Sequence, residues 1–305
     1  VPAPLDLPSG YTQRPLGLAD ARAVHRLMAA QERHDVGEVS IEEADIVGDW
    51  QRPSYDVGAS SVAVLRAGEI VAYGELVGAD RCDAAVHPDH RGRGIGTAVA
   101  RWIQALARER GAARVGMPVP EGSPGDRLLA ALGYRVRWTS WVLQLPEGAE
   151  VPARPLPAGY DVREAAAGDL RAAHAVQEDA FLEWSERERE SFEDWDARVT
   201  RRPGFEPWNL RVVTDPAGEV VAVALVLLSE EGEQCEAYVD RLATRADQRG
   251  RGLAQALLVD SFAVAREHGA VRSGLSTDSR TGALGLYERV GMQVTQRWVN
   301  RAIEL

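Results

Sequence analysis

Two kinds of hydrophobic rhythm alternate along the 305 residues of this chain. In "SSVAVLRAGEIVAYGELVG", from Ser60, and "NLRVVTDPAGEVVAVALVLLSE", from Asn209, β-rich apolar runs flank the turn chemistry of "RAGE" and "DPAGE". Each stretch predicts a hairpin. A further strand, "CDAAVH" or "EAYVDRLAT", then leads to the tetrapeptide RGRG, at Arg91–Gly94 and again at Arg249–Gly252. There the rhythm changes, and small and apolar residues recur at helical spacing as far as "ARERGA" and "AREHGA". Each of those endings carries a glycine suited to a helix C-cap. Another strand follows ("ARVGMPV", "VRSGLST"), then a short helix and a final strand. Upstream, a short strand near Tyr11–Pro15 or Tyr160–Arg163 precedes a helix with Asp20 or Asp169 near its start.

The same order of elements is written twice. A shift of 158 lays Asp89–Ala112 over Asp247–Ala270 with 12 of 24 residues identical. The segments from Gly10 and Gly159 match at an offset of 149, so the second copy holds about nine extra residues, within "FLEWSERERESFEDWDARVTRRPGF". The Pro- and Gly-rich stretch Leu145–Gly159 reads as a linker. Two homologous α/β domains are predicted, 1–150 and 151–305, each with a mixed sheet.

Composition narrows the chemistry. The 35 basic residues are all arginine, which excludes a lysine Schiff base and the lysine of a Walker loop. A net charge of -11 argues against broad nucleic-acid binding. Two cysteines are too few for a disulfide framework or a cysteine zinc site, and no metal site is expected. The longest apolar run, Val220–Leu228, has nine residues, too short to span a bilayer. The opening VPAPLDLPSG lacks the pattern of a signal peptide, so a cytoplasmic, membrane-free protein is expected.

A strand, a glycine-rich turn and a helix N-terminus together favour an anion. "GRGIGT" and "GRGLAQ" do not form a dinucleotide fingerprint, and they stand late in the unit. A tight turn without ligand and an arginine–glycine RNA-binding scrap remain as competing readings. The pattern Arg-x-x-Gly-x-Gly/Ala, at Arg91-Gly94-Gly96 and Arg249-Gly252-Ala254, resembles that of the GNAT superfamily of acetyl-CoA-dependent N-acyltransferases. The resemblance covers both halves. It implies two tandem GNAT domains, each a mixed, mostly antiparallel twisted sheet flanked by helices. It also implies that acetyl-CoA is the co-substrate and that the turn takes its pyrophosphate. The implied coenzyme residues are Val86, Arg91, Gly92, Arg93, Gly94, Ile95 and Gly96 in the first copy. In the second they are Leu242, Ala243, Thr244, Arg249, Gly250, Arg251, Gly252, Leu253 and Ala254, with the backbone of Leu242 and Ala243 holding pantetheine or the oxyanion.

The copies differ downstream. "DSRTGALGLYERVGM" matches the family's second signature at Ala283, Leu286, Tyr287, Glu288, Gly291 and Met292, with Ser279 where asparagine is usual. The first copy reads "GDRLLAALGYRV", and Leu129 stands in the place of Tyr287. Amine attack on a thioester creates an oxyanion and expels a thiolate; a backbone N–H can stabilise the first and a hydroxyl can protonate the second. Tyr287 is therefore the expected general acid, although its position also suits a core aromatic. The amine must lose a proton, and Glu236, Tyr238 and Asp240 alternate on one predicted strand face. Asp240 is favoured as base over Glu236, and a structural pairing of Asp240 with Arg241 or Arg245 is the alternative. Nine carboxylates between Glu178 and Asp196, with Trp184, Phe192 and Trp195 among them, suit a wall for a cationic acceptor or a solvated helix. The expected function is transfer of acetyl to a primary amine of a small molecule in the second domain, in a monomer or homodimer. The first domain is expected to be silent. The alternative is a non-catalytic acyl-CoA-binding sensor.

Overall fold

The computed structural model describes residues 2–229 and 235–305; Glu230, the last residue of the second hairpin stretch, and the Glu233–Gln234 lead-in to the following strand lie outside them. The chain divides into two compact units, 1–140 with 297–305, and 141–296. In chain order the first half contains β1 (Tyr11–Arg14), α1 (Ala21–Asp35), α2 (Glu43–Trp50), α3 (Val57–Ser60), β2 (Ser61–Arg66) and β3 (Glu69–Val77). β4 (Arg81–Val86), α4 (Ile95–Glu109), β5 (Arg114–Pro120), α5 (Pro124–Ala131) and β6 (Arg135–Gln144) follow. The second half contains β7 (Asp161–Glu164), α6 (Leu170–Leu182), α7 (Phe192–Arg198), β8 (Leu210–Thr214), β9 (Val220–Ser229) and β10 (Glu236–Thr244). It ends with α8 (Leu253–Glu267), β11 (Arg272–Asp278), α9 (Leu284–Arg289) and β12 (Gln293–Glu304). Both halves are α/β, with mixed and mostly antiparallel strand pairing, as the resemblance implies.

Within the first unit, β1 to β4 form an antiparallel meander, and β4 then pairs parallel with β5. α4 explains why. Its apolar positions Ile95, Val99, Ile103 and Leu106 form one stripe that buries against Val62, Val64, Leu76 and Val115. The opposite sheet face carries Ala63, Tyr73 and Ala85 against Val24 and Leu27 of α1 and Ile46 and Trp50 of α2. The alternation along β2 and β3 thus feeds two helical layers at once.

The second unit repeats this plan, with α8 over Val226, Ala237 and Val239 on one face and α6 and α7 over Val212, Val223 and Ala243 on the other. β10 pairs antiparallel with β9 and parallel with β11.

The division does not fall at residue 150. β12 pairs with β5 from Trp298↔Pro120 to Glu304↔Arg114, so the chain's last strand completes the first unit's sheet. Gly116 lies in that ladder, where a Cβ would overlap the Arg301 carbonyl. Conversely, Leu145 N–H donates to the Ser273 carbonyl (2.9 Å), which ties the end of β6 to the second unit. Backbone groups at each sheet edge need partners, and each unit takes a strand segment from the other half of the sequence.

Candidate functional site

The site of each unit is a fork between two parallel strands. In the second unit the β10–β11 ladder runs from Glu236↔Arg272 to Val239↔Leu275 and stops, although β10 continues to Thr244 and β11 to Asp278. The β11-facing backbone groups of Leu242–Thr244 are left without a ladder partner, as an oxyanion or pantetheine site requires. In the first unit the corresponding register is the single pair Arg81↔Gly116. A cavity of about 400 Å³ opens there, walled by Ala84 and Val86 of β4, Met117 and Val119 of β5, and Gly94 and Gly96 of the turn.

The turns have the geometry an anion needs. Gly92 and Gly94 have φ of +74° and +83°, and Gly250 and Gly252 +77° and +86°, so left-handed backbone is what glycine supplies here. Gly94 and Gly252 are the left-handed N-caps of α4 and α8, and the first N–H groups beyond them have no intrahelical acceptor. Ile95 and Leu253 point into the core and offer only their backbone. Gly96 also lets α4 approach α5, since a Cβ would stand 2.8 Å from Leu128 Cδ2. At the end of β10, the Thr244 hydroxyl is buried with no hydrogen-bond partner among the described residues.

The side chains of the motif arginines are held by protein partners, although Arg91 also lines the cavity. Arg91 forms a bidentate pair with Asp35 (2.7 and 2.9 Å), and its Nε donates to the Val86 carbonyl (3.2 Å). Arg249 does the same with Glu183 (2.6 and 2.7 Å) and the Thr244 carbonyl (3.1 Å). Each arginine therefore ties the turn to the end of its unit's first long helix and to the strand that enters the turn. The planar guanidinium suits two carboxylate oxygens. Arg251 is engaged by the Tyr160 hydroxyl (3.1 Å) and Arg93 by the Asp89 carbonyl (3.2 Å). The Asp35 side chain is 4% exposed, whereas Glu183 and Arg249 are each nearly half exposed. Arg91→Ala should thus destabilise the first unit by about 2 kcal/mol and Arg249→Ala the second by less than about 1. Urea unfolding curves of the two variants would give this order; equal losses would refute it.

The catalytic candidates separate in the same way. Tyr287, on α9, belongs to the buried cluster that also holds Val239 and Leu275, the pair at which the ladder ends, and Phe262 of α8. Its ring is core, but its hydroxyl makes no hydrogen bond among the described residues. Burial alone pushes the phenol up to about 12, so it is protonated and able to donate at neutral pH. Leu129 is buried against Val119 and Tyr134 in a purely apolar setting.

The expected face of Glu236, Tyr238 and Asp240 is interrupted. A β-bulge falls between Val239 and Arg241, so Asp240 is the extra residue and Arg241, opposite Leu225, takes its place on the Tyr238 face. Asp240 is exposed and pairs with Arg241 Nε (3.1 Å). Glu236, at the far end of the ladder, accepts from Gln144 Nε2 (3.0 Å). Ser279 lies in the exposed turn after β11.

The acidic stretch is a set of ion pairs rather than an open anionic wall. Glu178, fully buried, takes both nitrogens of Arg187 (2.7 and 2.6 Å) and the Glu190 N–H (2.8 Å). Burial would raise its pKa, but the Arg187 fork and the Glu190 N–H hold it below the usual range. Asp179 pairs with Arg189, Glu190 with Arg198 (2.5 Å) and Asp196 with Arg201 (2.9 Å). Trp195 is wholly buried and Phe192 stacks on it at 5.7 Å, so both are packing residues. Trp184 remains, with the Arg280 guanidinium 4.7 Å above its ring. No group of three or more metal-ligating side chains occurs among the described residues. No helix among them is long and apolar enough to cross a membrane.

Comparison with known proteins agrees with this geometry. The sequence matches the acetyltransferase (GNAT) family over residues 23–134 and 170–292. It is 32% identical over 225 residues to a mycothiol acetyltransferase of Salinispora arenicola, across 71% of this chain and 69% of that protein. The structure resembles a GCN5-related N-acetyltransferase from Sphaerobacter thermophilus, with a TM-score of 0.72 and 29% identity over 98% and 96% of the two chains. It also shares its fold with a tandem GNAT protein from the clavulanic acid biosynthesis pathway, with a TM-score of 0.71 and 18% identity over 96% and 98%.

Proposed function

The chain belongs to the acetyltransferase (GNAT) family, and from that premise we propose that its second unit transfers acetyl from acetyl-CoA to a primary amine of a small molecule. The observation that carries this is the Tyr287 hydroxyl, protonated and without a partner among the described residues, in the cluster that holds the pair where the β10–β11 ladder ends. The name shared by the curated relatives, mycothiol acetyltransferase, makes a mycothiol-related amine the first acceptor to try.

In this reading the acceptor nitrogen attacks the thioester carbonyl carbon, and a C–N bond forms as the C–S bond breaks. Unladdered N–H groups of Leu242–Thr244 hold the oxyanion. Tyr287 gives its proton to the departing sulfur, and Asp240, the exposed carboxylate nearer the fork, takes the proton of the amine directly or through water once it leaves Arg241. Glu236 is the second choice for base, because it stands at the far end of the ladder. The first unit keeps the turn and an open cleft but has Leu129 where the proton donor would be, so it binds coenzyme without turnover.

Calorimetric titration with acetyl-CoA should give two sites per chain, and a panel of primary amines, mycothiol-related amines included, should yield an N-acetyl product by mass spectrometry. Tight coenzyme binding with no product from any amine would overturn the transferase reading.

A further inference from the structure

The stretch read from the sequence as a linker forms a wall of the second glycine turn. Val151 is buried against α8, and the Pro152 carbonyl accepts from Gln255 Nε2 (2.6 Å). Leu156 packs with Leu253 and Leu257, and the Tyr160 hydroxyl donates to Gln248 Oε1 (2.7 Å). The strap is thus fixed on both sides of Arg154. Between these anchors the Arg154 side chain lies over the turn: a Cβ on Gly252 would stand 2.7 Å from both its Cδ and its Nε. Arg154 is exposed, and among the described residues its guanidinium has no acceptor.

The first unit has no such arm. Its opening segment leaves a cavity of about 610 Å³ between residues 3–8 and the start of α4. No atom lies within 4 Å of a Cβ on Gly94, and Leu5 holds the place of Arg154 at the 149-residue offset. The two turns are alike in backbone and differ in what covers them.

We propose that Arg154 is a coenzyme-binding residue of the second site, reaching the pyrophosphate from the strap while the N–H groups after Gly252 reach it from the helix. A guanidinium and the start of a helix that converge on one point favour a charge-dense dianion. Arg91 and Arg249 spend their side chains on carboxylates, and each turn keeps one further arginine on a neutral oxygen, so Arg154 adds to the second turn a cation that the opening segment does not add to the first. The proposal rests on the coenzyme reading of the second unit.

The test is calorimetry on the full chain in a Gly94→Glu background, which silences the first turn, with circular dichroism to show that the fold is kept. Acetyl-CoA and 3′-dephospho-CoA are the probes. Arg154→Ala should weaken both by roughly tenfold, the loss expected for one charge-assisted hydrogen bond, and Arg154→Lys should recover part of it. Unchanged or tighter binding by Arg154→Ala would overturn the proposal, as would a loss seen with acetyl-CoA only, which would place the arginine on the 3′-phosphate. If the Gly94→Glu protein with Arg154 intact binds neither probe, the coenzyme reading of the second unit fails together with the proposal. Binding there that ignores Arg154 sinks the proposal alone.

Discussion

Tyr287→Phe should leave acetyl-CoA affinity within twofold of wild type and lower kcat by roughly 10² to 10⁴, the usual contribution of a positioned general acid. The substitution deletes one oxygen from a side chain whose ring is packed against Phe262, Val290 and Met292. Stability should therefore hold, because the hydroxyl makes no hydrogen bond to the described residues that would be lost. Tyr287→Leu, which copies the first unit, should lose turnover equally but also leave a packing defect. The pH profile carries a second signature. Burial raises the phenol to about 12, so the alkaline limb of kcat for wild type should lie well above neutrality. If Tyr287→Phe keeps more than a tenth of wild-type kcat, the proton for the thiolate comes from elsewhere.

That expectation was legible in the sequence because it depends on one residue type inside a signature with fixed spacing. The turns were legible for the same reason: left-handed backbone at Gly92, Gly94, Gly250 and Gly252 leaves a glycine pattern that survives without coordinates. What the sequence did not carry was the destination of long side chains. Arg91 and Arg249 stand in the motif, yet their forks close on Asp35 and Glu183, more than 50 residues away in each case. A search for an acid near the end of each first helix would have found both partners. The bulge at Asp240 was hidden because a single extra residue reverses alternation without changing composition. The paired state of the acidic stretch was hidden too, although five arginines lie within residues 187–202. The exchange of final strand segments left no trace, since a strand's partner is set by register and the two halves are homologous.

The two units also differ in how they treat a buried carboxylate. In the second unit the buried carboxylate Glu178 is neutralised by an arginine fork. In the first, Glu75 on β3 is 7% exposed and has no arginine of its own. Its Oε2 accepts from the Trp50 indole (2.9 Å) and the Tyr55 hydroxyl (2.5 Å), and Asp83 stands directly across the strand pair. A lone carboxylate in the apolar run "IVAYGELV" was the available sign of this network.

Glu75 should make the first unit less stable as pH rises through neutrality. Burial, then the charge of Asp83, push its carboxyl up to about 7, against the partial relief of its two hydrogen bonds. The folded state therefore holds the proton more tightly than the unfolded chain, whose value is near 4.5. Stability from this group is fully present below that lower value and is lost as pH climbs through about 7. A gap of this size corresponds to a change on the order of 3 kcal/mol. Glu75→Gln keeps an oxygen for Trp50 and Tyr55 but cannot ionise. Relative to wild type, the variant should gain stability steadily from pH 5 to pH 8 and should be nearly equal to it below pH 4.5. Guanidinium unfolding of both proteins at several pH values measures the difference directly. Parallel curves across that range would mean that Glu75 is as easily ionised in the fold as out of it, and that the two aromatic donors balance its burial and the charge of Asp83.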